Sequence, residues 1–305
     1  MKRVAVIDLG TQSVLYILVR RDVHGRLSPE FQETASVRLG QGVTESGAIA
    51  EAAVLRLLPL LNRFTELSAQ HRAERIRAVG TRVFRMAANR TEVIERIRQE
   101  TGLNIEILSE KEEAFYSFQG AVYGRSLSFP VTVIDIGGGS TEIIAGSEKH
   151  IDLWHSFPLG AVSLRESCGG DAGHEKADTM IAAGFEVPAV KRFRTSRLVG
   201  VGGTVTTLAA LDLGLVRYDP ERVDGCRLKR EQIEIIFNKL IRLSPRQARS
   251  WLAVDPERAD ILEYGVRVLM HFMKNAGFPE VLISDRGLRL GVARQEFEKD
   301  NSAIL

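Results

Sequence analysis

The residues best suited to chemistry lie in one run, Asp135-Ile-Gly137-Gly138-Gly139-Ser140-Thr141-Glu142. A β-branched stretch, Val131 to Ile134, ends in a carboxylate, passes through three glycines and resumes as apolar strand, which predicts a hairpin with a glycine tip. With no side chains in the way, the N–H groups of Gly137, Gly138 and Gly139 could point at one anion, the Ser140 and Thr141 hydroxyls adding neutral donors. Asp135 would repel that anion unless a divalent cation lay between them, as oxygen-ligated Mg²⁺ does. The run matches neither the P-loop nor the dinucleotide fingerprint, because strand follows the turn where those motifs require helix. A glycine hairpin that binds nothing is the plain alternative.

The chain contains this stretch twice. Val4-Ala-Val-Ile-Asp8-Leu-Gly10-Thr11-Gln-Ser13 aligns in register with Val131 to Ser140, matching valine, isoleucine, aspartate, glycine and serine. Further on, Gly80-Thr81 and Gly203-Thr204 both follow a strand and lead into an apolar helical stretch. Two related halves explain both echoes. Facing halves would bring Asp8 and Asp135 to one phosphate chain from opposite sides, with Gly10, Thr11 and Ser13 as the first half's phosphate groups. Gly202, Gly203 and Thr204 form a second glycine turn, suited either to a nucleotide or distal phosphate or to close packing on a sheet.

The elements that must position these residues follow from periodicity. In the first half strands are expected at Val4 to Ile7, Val14 to Val19, Phe31 to Leu39, Ile76 to Val79 and Asn104 to Leu108, with an amphipathic helix from Ser46 to Leu67. Arg85 lies one turn into the segment after Thr81, and Thr91 is the expected cap of the next helix, which runs to Gly102. Ser109 is the expected N-cap of a helix opening with Glu110, Glu112 and Glu113. Acidic residues there suit the helix dipole without any further role, and a general base for water is the functional alternative. The second half repeats the plan, with a helix entered near Ser163, a loop from Gly169 to Gly173 and a helix from Lys176 to Phe193 broken near Pro188. An irregular Tyr218 to Leu228, helices from Lys229 and Ser244, a long helix from Arg258 to Ala276 and a final strand at Val281 complete it. The expected domains are 1–122 and 123–305, meeting near Gly120 to Gly124, and the last helix could pack back on the first.

At 305 residues, with 44% hydrophobic and 26% charged residues, the composition is that of an ordinary globular protein. A net charge of +2 excludes a dedicated nucleic-acid binder. Arginine outnumbers lysine 32 to 9, a bias that suits phosphate oxygens but also follows from genomic base composition. Cys168 and Cys226 have no CxxC spacing and are expected to be reduced thiols. The opening residues lack a signal-peptide pattern and no apolar run reaches about 18 residues, so the expectation is a cytoplasmic protein with no membrane partner.

Asp8 to Ser13, Arg85 to Asn89, Glu112-Glu113-Ala114, Asp135 to Glu142 and Gly202-Gly203-Thr204 occur in one order that resembles the exopolyphosphatase and guanosine pentaphosphate phosphohydrolase family. The resemblance runs from about Val4 to Val292, and Asp-Ile-Gly-Gly-Gly-Ser-Thr-Glu is its most specific element. It implies an α/β fold of two duplicated actin-like, sugar-kinase-like ATPase domains with mixed sheets flanked by helices. It also implies removal of a terminal phosphate from inorganic polyphosphate or from pppGpp, with Mg²⁺ or another divalent cation. By the same likeness Glu113 activates water, with Glu112 as the fallback; Arg85 binds phosphate and Glu142 is the second acidic site residue. Asp135, Glu142 and Asp8 are the expected metal ligands. Thr11-Gln12 replaces the family's usual Ser-Asn, and Glu263-Tyr264 differs from the small or proline residues common there. The chain lacks the added C-terminal helical domains of longer members, which favours short polyphosphate chains and leaves pppGpp open. A homodimer is compatible with this reading. A kinase-type phosphotransferase of the same fold and a non-catalytic sensor of polyphosphate or alarmone are the competing functions. The first would need an acceptor other than water, and the second would bind without releasing phosphate.

Overall fold

The computed structural model of the chain describes residues 2–168, 173–185 and 187–302. Two units divide the chain: Met1–Gly120 with Leu288–Leu305, and Ala121–Gly287.

In the first unit β1 (Lys2–Leu9), β2 (Ser13–Arg21) and β3 (Leu27–Ser36) form an antiparallel meander. Short α1 (Val43–Ser46) and long α2 (Glu51–Gln70) cross to β4 (Arg75–Gly80), which lies parallel to β1. Then come α3 (Arg82–Met86), α4 (Arg90–Thr101), β5 (Ile105–Ile107) parallel to β4, and α5 (Glu110–Val122). The sheet order is β3-β2-β1-β4-β5. Leu57, Leu61 and Phe64 of α2 are fully buried with Ile7, Leu9, Val14 and Leu18 of the sheet. Each such side chain contributes about 1.5–3 kcal/mol of burial. Tyr16 stacks on Phe64 with ring centroids 4.8 Å apart, and its hydroxyl bonds Ser68 Oγ at 3.0 Å.

The second unit repeats the order. It has β6 (Val131–Ile136), β7 (Thr141–Gly146), β8 (Ile151–Phe157), α6 (Ala161–Cys168), α7 (Gly173–Gly184), α8 (Val187–Lys191), β9 (Leu198–Val201) and α9 (Gly203–Asp212). It continues through α10 (Pro220–Val223), β10 (Arg227–Lys229), α11 (Arg230–Leu240), α12 (Pro245–Trp251), a 3-10 turn (Pro256–Arg258), α13 (Leu262–Ala276) and β11 (Glu280–Ile283). Its sheet order, β10-β11-β9-β6-β7-β8, is the first unit's order with β10 added at the edge. The senses agree too: β6, β7 and β8 are antiparallel, and β6, β9 and β11 are parallel. The duplication expected from two short motifs therefore extends through whole mixed sheets. The last helix, α14 (Leu288–Ser302), packs on β1 and β2 of the first unit.

Several local expectations are corrected. The third strand ends at Ser36, with Arg38 in the left-handed region (φ 56°) and its N–H on Gln12 O at 2.8 Å. Asn89 occupies the N-cap position of α4, leaving Thr91 inside the first turn. The segment read as irregular contains α10, whose first turn is capped by Asp219 Oδ1 accepting from the Glu221 and Arg222 N–H groups at 3.1 and 3.2 Å. The helix expected from Arg258 starts at Leu262, because Pro256 begins a separate 3-10 turn. The break expected near Pro188 falls before it, between Gly184 and Val187, and most of the glycine loop expected at 169–173 lies outside the described residues.

The entry and exit of the second unit are tied together. Arg125 pairs with Asp224 and donates to Ala121 O at 2.9 Å and Ser284 Oγ at 3.1 Å. Asp224 also takes Arg286 Nε at 3.1 Å and the Asp285 N–H at 3.1 Å.

Candidate active site

The two glycine turns are built alike. Gly10 N–H donates to Ser13 O at 3.0 Å, and Gly137 N–H donates to Ser140 O at 3.0 Å. This corrects the expectation for Gly137, and with it Gly10: both N–H groups are spent closing the hairpin rather than offered to an anion.

What the second turn does offer follows from its carbonyls. Gly137 O accepts from Ala161 N at 3.0 Å, Gly138 O from Val162 N at 2.8 Å and Ser163 N at 3.1 Å, and Gly139 O from Ser163 Oγ at 3.1 Å. Three successive carbonyls thus cap the N-terminus of α6, supplying acceptors for its orphan donors. In a trans peptide the next N–H points opposite to the carbonyl, so the Gly138, Gly139 and Ser140 N–H groups are aimed away from α6. Gly160 permits this approach, since a Cβ there would collide with the Gly138 and Gly139 backbone. Thr141, expected to add a donor, spends its hydroxyl on Leu159 O at 2.7 Å and is fully buried. Ser140 and Ser13 are buried at their tips, 3% and 5% exposed.

Asp135 and Glu142 stand directly opposite each other on β6 and β7, so both carboxylates project from one face of the sheet. Glu142 is 2% exposed and accepts from Ser156 Oγ at 2.8 Å. Like charges directly opposed are unfavourable, and a cation between them relieves the repulsion. Among the described residues no group of three or more His, Cys, Asp or Glu side chains could hold a metal. A pair still suits Mg²⁺, which takes one or two carboxylates and completes its shell with water and substrate phosphate.

Gly202, at the start of α9, has φ 90°, and a Cβ on it would lie 2.9 Å from Asp135 Oδ1 and 2.7 Å from Ile136 O. Only glycine fits both that conformation and that contact. Thr204 is buried against Gly265 of α13, which turns it toward packing. Sequence reasoning overlooked Arg258: its guanidinium lies on Gly203, and its Nε donates to Asp255 Oδ2 at 2.7 Å. The signal was available in Asp255-Pro-Glu-Arg258, where an acid three residues ahead of an arginine can orient it.

In the first unit Arg85 Nη1 donates to Glu113 Oε2 at 2.7 Å and to Leu108 O at 2.8 Å. Its Nη2 is buried with no hydrogen-bond partner among the described residues. Buried donors are rarely left so, and an anionic ligand is a natural acceptor. The two adjacent glutamates are distinguished by their partners. Glu112 accepts from Ser109 N at 2.9 Å and Ser109 Oγ at 2.7 Å while its own N–H reaches Ser109 Oγ at 3.2 Å, closing a capping box. Those bonds from Ser109 hold its carboxyl below the ordinary glutamate range. Glu113, one position on, faces Arg85 instead. Cys168 and Cys226 are both free thiols. Among the described residues no helix is long and apolar enough to cross a membrane.

Repeated mixed sheets with a glycine-tipped hairpin at the head of each define a protein of the duplicated actin-like class. Residues 18–300 match the Ppx/GppA phosphatase family, and the chain belongs to that family. It is 31% identical to exopolyphosphatase 2 of Mycobacterium tuberculosis, over 95% of this chain and 97% of that protein. It is 27% identical to the guanosine-5'-triphosphate,3'-diphosphate pyrophosphatase of Aeromonas hydrophila, over 94% of this chain and 58% of that protein. Among solved structures, the Aquifex aeolicus Ppx/GppA family member is 28% identical with a TM-score of 0.81, covering 98% of this chain and 99% of that one.

Proposed function

We propose that this protein is an exopolyphosphatase that hydrolyses the terminal phosphoanhydride of inorganic polyphosphate. The observation that carries the reading is the Arg85–Glu113 pair, in which one guanidinium nitrogen holds the carboxylate and the other is buried without an acceptor among the described residues. In this reading Arg85 Nη2 takes a terminal phosphate oxygen, and Glu113 orients a water and accepts its proton as it attacks phosphorus in line. Phosphoryl transfer through a loose transition state asks for positioning more than for a strong base, so a carboxylate beside an arginine is adequate. The Gly138, Gly139 and Ser140 N–H groups bind phosphate oxygens in this reading, and Thr11 and Ser13 are the first unit's own candidate phosphate groups. Asp135 and Glu142 would hold a divalent cation, which when bound would neutralise charge on the phosphate chain.

Hydrolysis of pppGpp is the second reading, favoured by the Aeromonas hydrophila relative. Phosphate release measured side by side on short polyphosphate, long polyphosphate and pppGpp, with and without Mg²⁺, decides between them. The proposal expects Mg²⁺-dependent release from polyphosphate that is faster than from pppGpp and needs no acceptor but water. Release from pppGpp alone would move the assignment to the second reading.

A further inference from the structure

We propose that Ser156 is a positioning residue for the cation, acting by fixing the Glu142 carboxylate through a hydroxyl hydrogen bond. This inference rests on the reading that Asp135 and Glu142 bind the cation. Asp135, Glu142 and Ser156 are a cross-strand row: Asp135 pairs with Glu142 between β6 and β7, and Glu142 with Ser156 between β7 and β8. Side chains alternate along strands, so the three share a face, while Ile134, Ile136, Ile143 and Phe157 turn to the buried core on the other.

Within that row the serine sits on the side of Glu142 away from Asp135. Its hydroxyl donates to Oε1 at 2.8 Å, which fixes one carboxylate oxygen and with it the orientation of the group. A glutamate has three rotatable bonds, and without such a donor its carboxylate would populate several orientations beside Asp135. Outer partners of metal-binding carboxylates characteristically set affinity in this way, and their removal costs 10–100-fold.

The test is a titration of the full chain with Mn²⁺, read by the loss of free-ion EPR signal, for wild type, Ser156→Ala, Ser156→Cys, Ser156→Thr and Glu142→Gln. The expected result is a roughly tenfold or greater weakening in Ser156→Ala, a smaller one in Ser156→Cys, and near-wild-type affinity in Ser156→Thr, which keeps the hydroxyl on a strand-compatible residue. The concentration of cation needed for half-maximal phosphate release should rise in parallel, with kcat recovering at saturating cation. Wild-type Mn²⁺ affinity in both Ser156→Ala and Ser156→Cys, with Glu142→Gln weakened, would overturn the role of Ser156 and leave the carboxylate pair standing. Wild-type affinity in Glu142→Gln would instead remove the carboxylate reading on which the inference depends. A lowered melting temperature in Ser156→Ala without any change in Mn²⁺ affinity would assign the hydroxyl to strand packing and also overturn the proposal.

Discussion

Gly160→Ala tests the glycine cradle without altering a charged or hydrogen-bonding side chain. The added Cβ would fall inside 3.0 Å of the Gly138 and Gly139 backbone, a separation that real Cβ atoms essentially never show. Relief to an ordinary contact of about 3.5 Å requires the loop and the start of α6 to part by about 1 Å. Overpacking of this kind costs about 1–3 kcal/mol, which for a unit of this size lowers the melting temperature by roughly 2–12 °C. The catalytic consequence should be larger, because the same carbonyls that cap α6 set the direction of the opposing N–H groups. A misplacement of about 1 Å can cost about 10²-fold in rate. The assay is kcat/KM for phosphate release alongside thermal denaturation. Gly146→Ala is the control, since its Cβ would meet the His150 carbonyl at the far end of the β7–β8 hairpin, a comparable strain away from the cradle. A folded Gly160→Ala protein with kcat/KM within twofold of wild type would refute the reasoning.

Two further predictions concern interactions outside the cradle. Asp224→Ala leaves Arg125, whose burial already lowers its pKa, without its partner carboxylate, and should cost about 2–3 kcal/mol, seen as a drop of roughly 5–10 °C in melting temperature; a drop under 2 °C would contradict it. Because the Glu112 carboxyl is held below its unfolded value, its contribution is present above the ordinary glutamate range of about 4.3 and is lost as pH falls through the folded value. Glu112→Gln keeps a capping-box side chain but does not titrate there, so the stability advantage of wild type over the variant should shrink as pH falls below the ordinary glutamate range in denaturant titrations. A pH-independent difference would contradict this assignment.

Much of the fold was legible because the sequence repeats itself. Asp8 to Ser13 and Asp135 to Ser140 predicted twin hairpins, and the structure gives them the same closing hydrogen bond. Strands such as β6 (Val131–Ile136) announced themselves by β-branched runs, and the helix expected from Ser244 is present as α12, capped by Ser244 with Gln247. The site was less legible where function depends on which way a group points. Sequence places three glycines together, yet their carbonyls are consumed by α6 and the first N–H by Ser140, so the offered donors are Gly138, Gly139 and Ser140. Glu112 and Glu113 are chemically identical neighbours, and only the capping of one by Ser109 and the pairing of the other with Arg85 separates them. Arg258 and Ser156 escaped notice because each meets its partner through tertiary contact or cross-strand register rather than through a recognisable motif.

The role proposed for Glu113 is to prepare water for attack on the terminal phosphate. Glu113→Gln preserves the size and polarity of the side chain and removes the proton acceptor. Phosphate release from polyphosphate by this variant, measured with polyphosphate binding on the same protein by calorimetry, tests the claim most directly. Release should fall by about 10²–10⁴-fold with binding within a few fold of wild type. Turnover near that of wild type would contradict it.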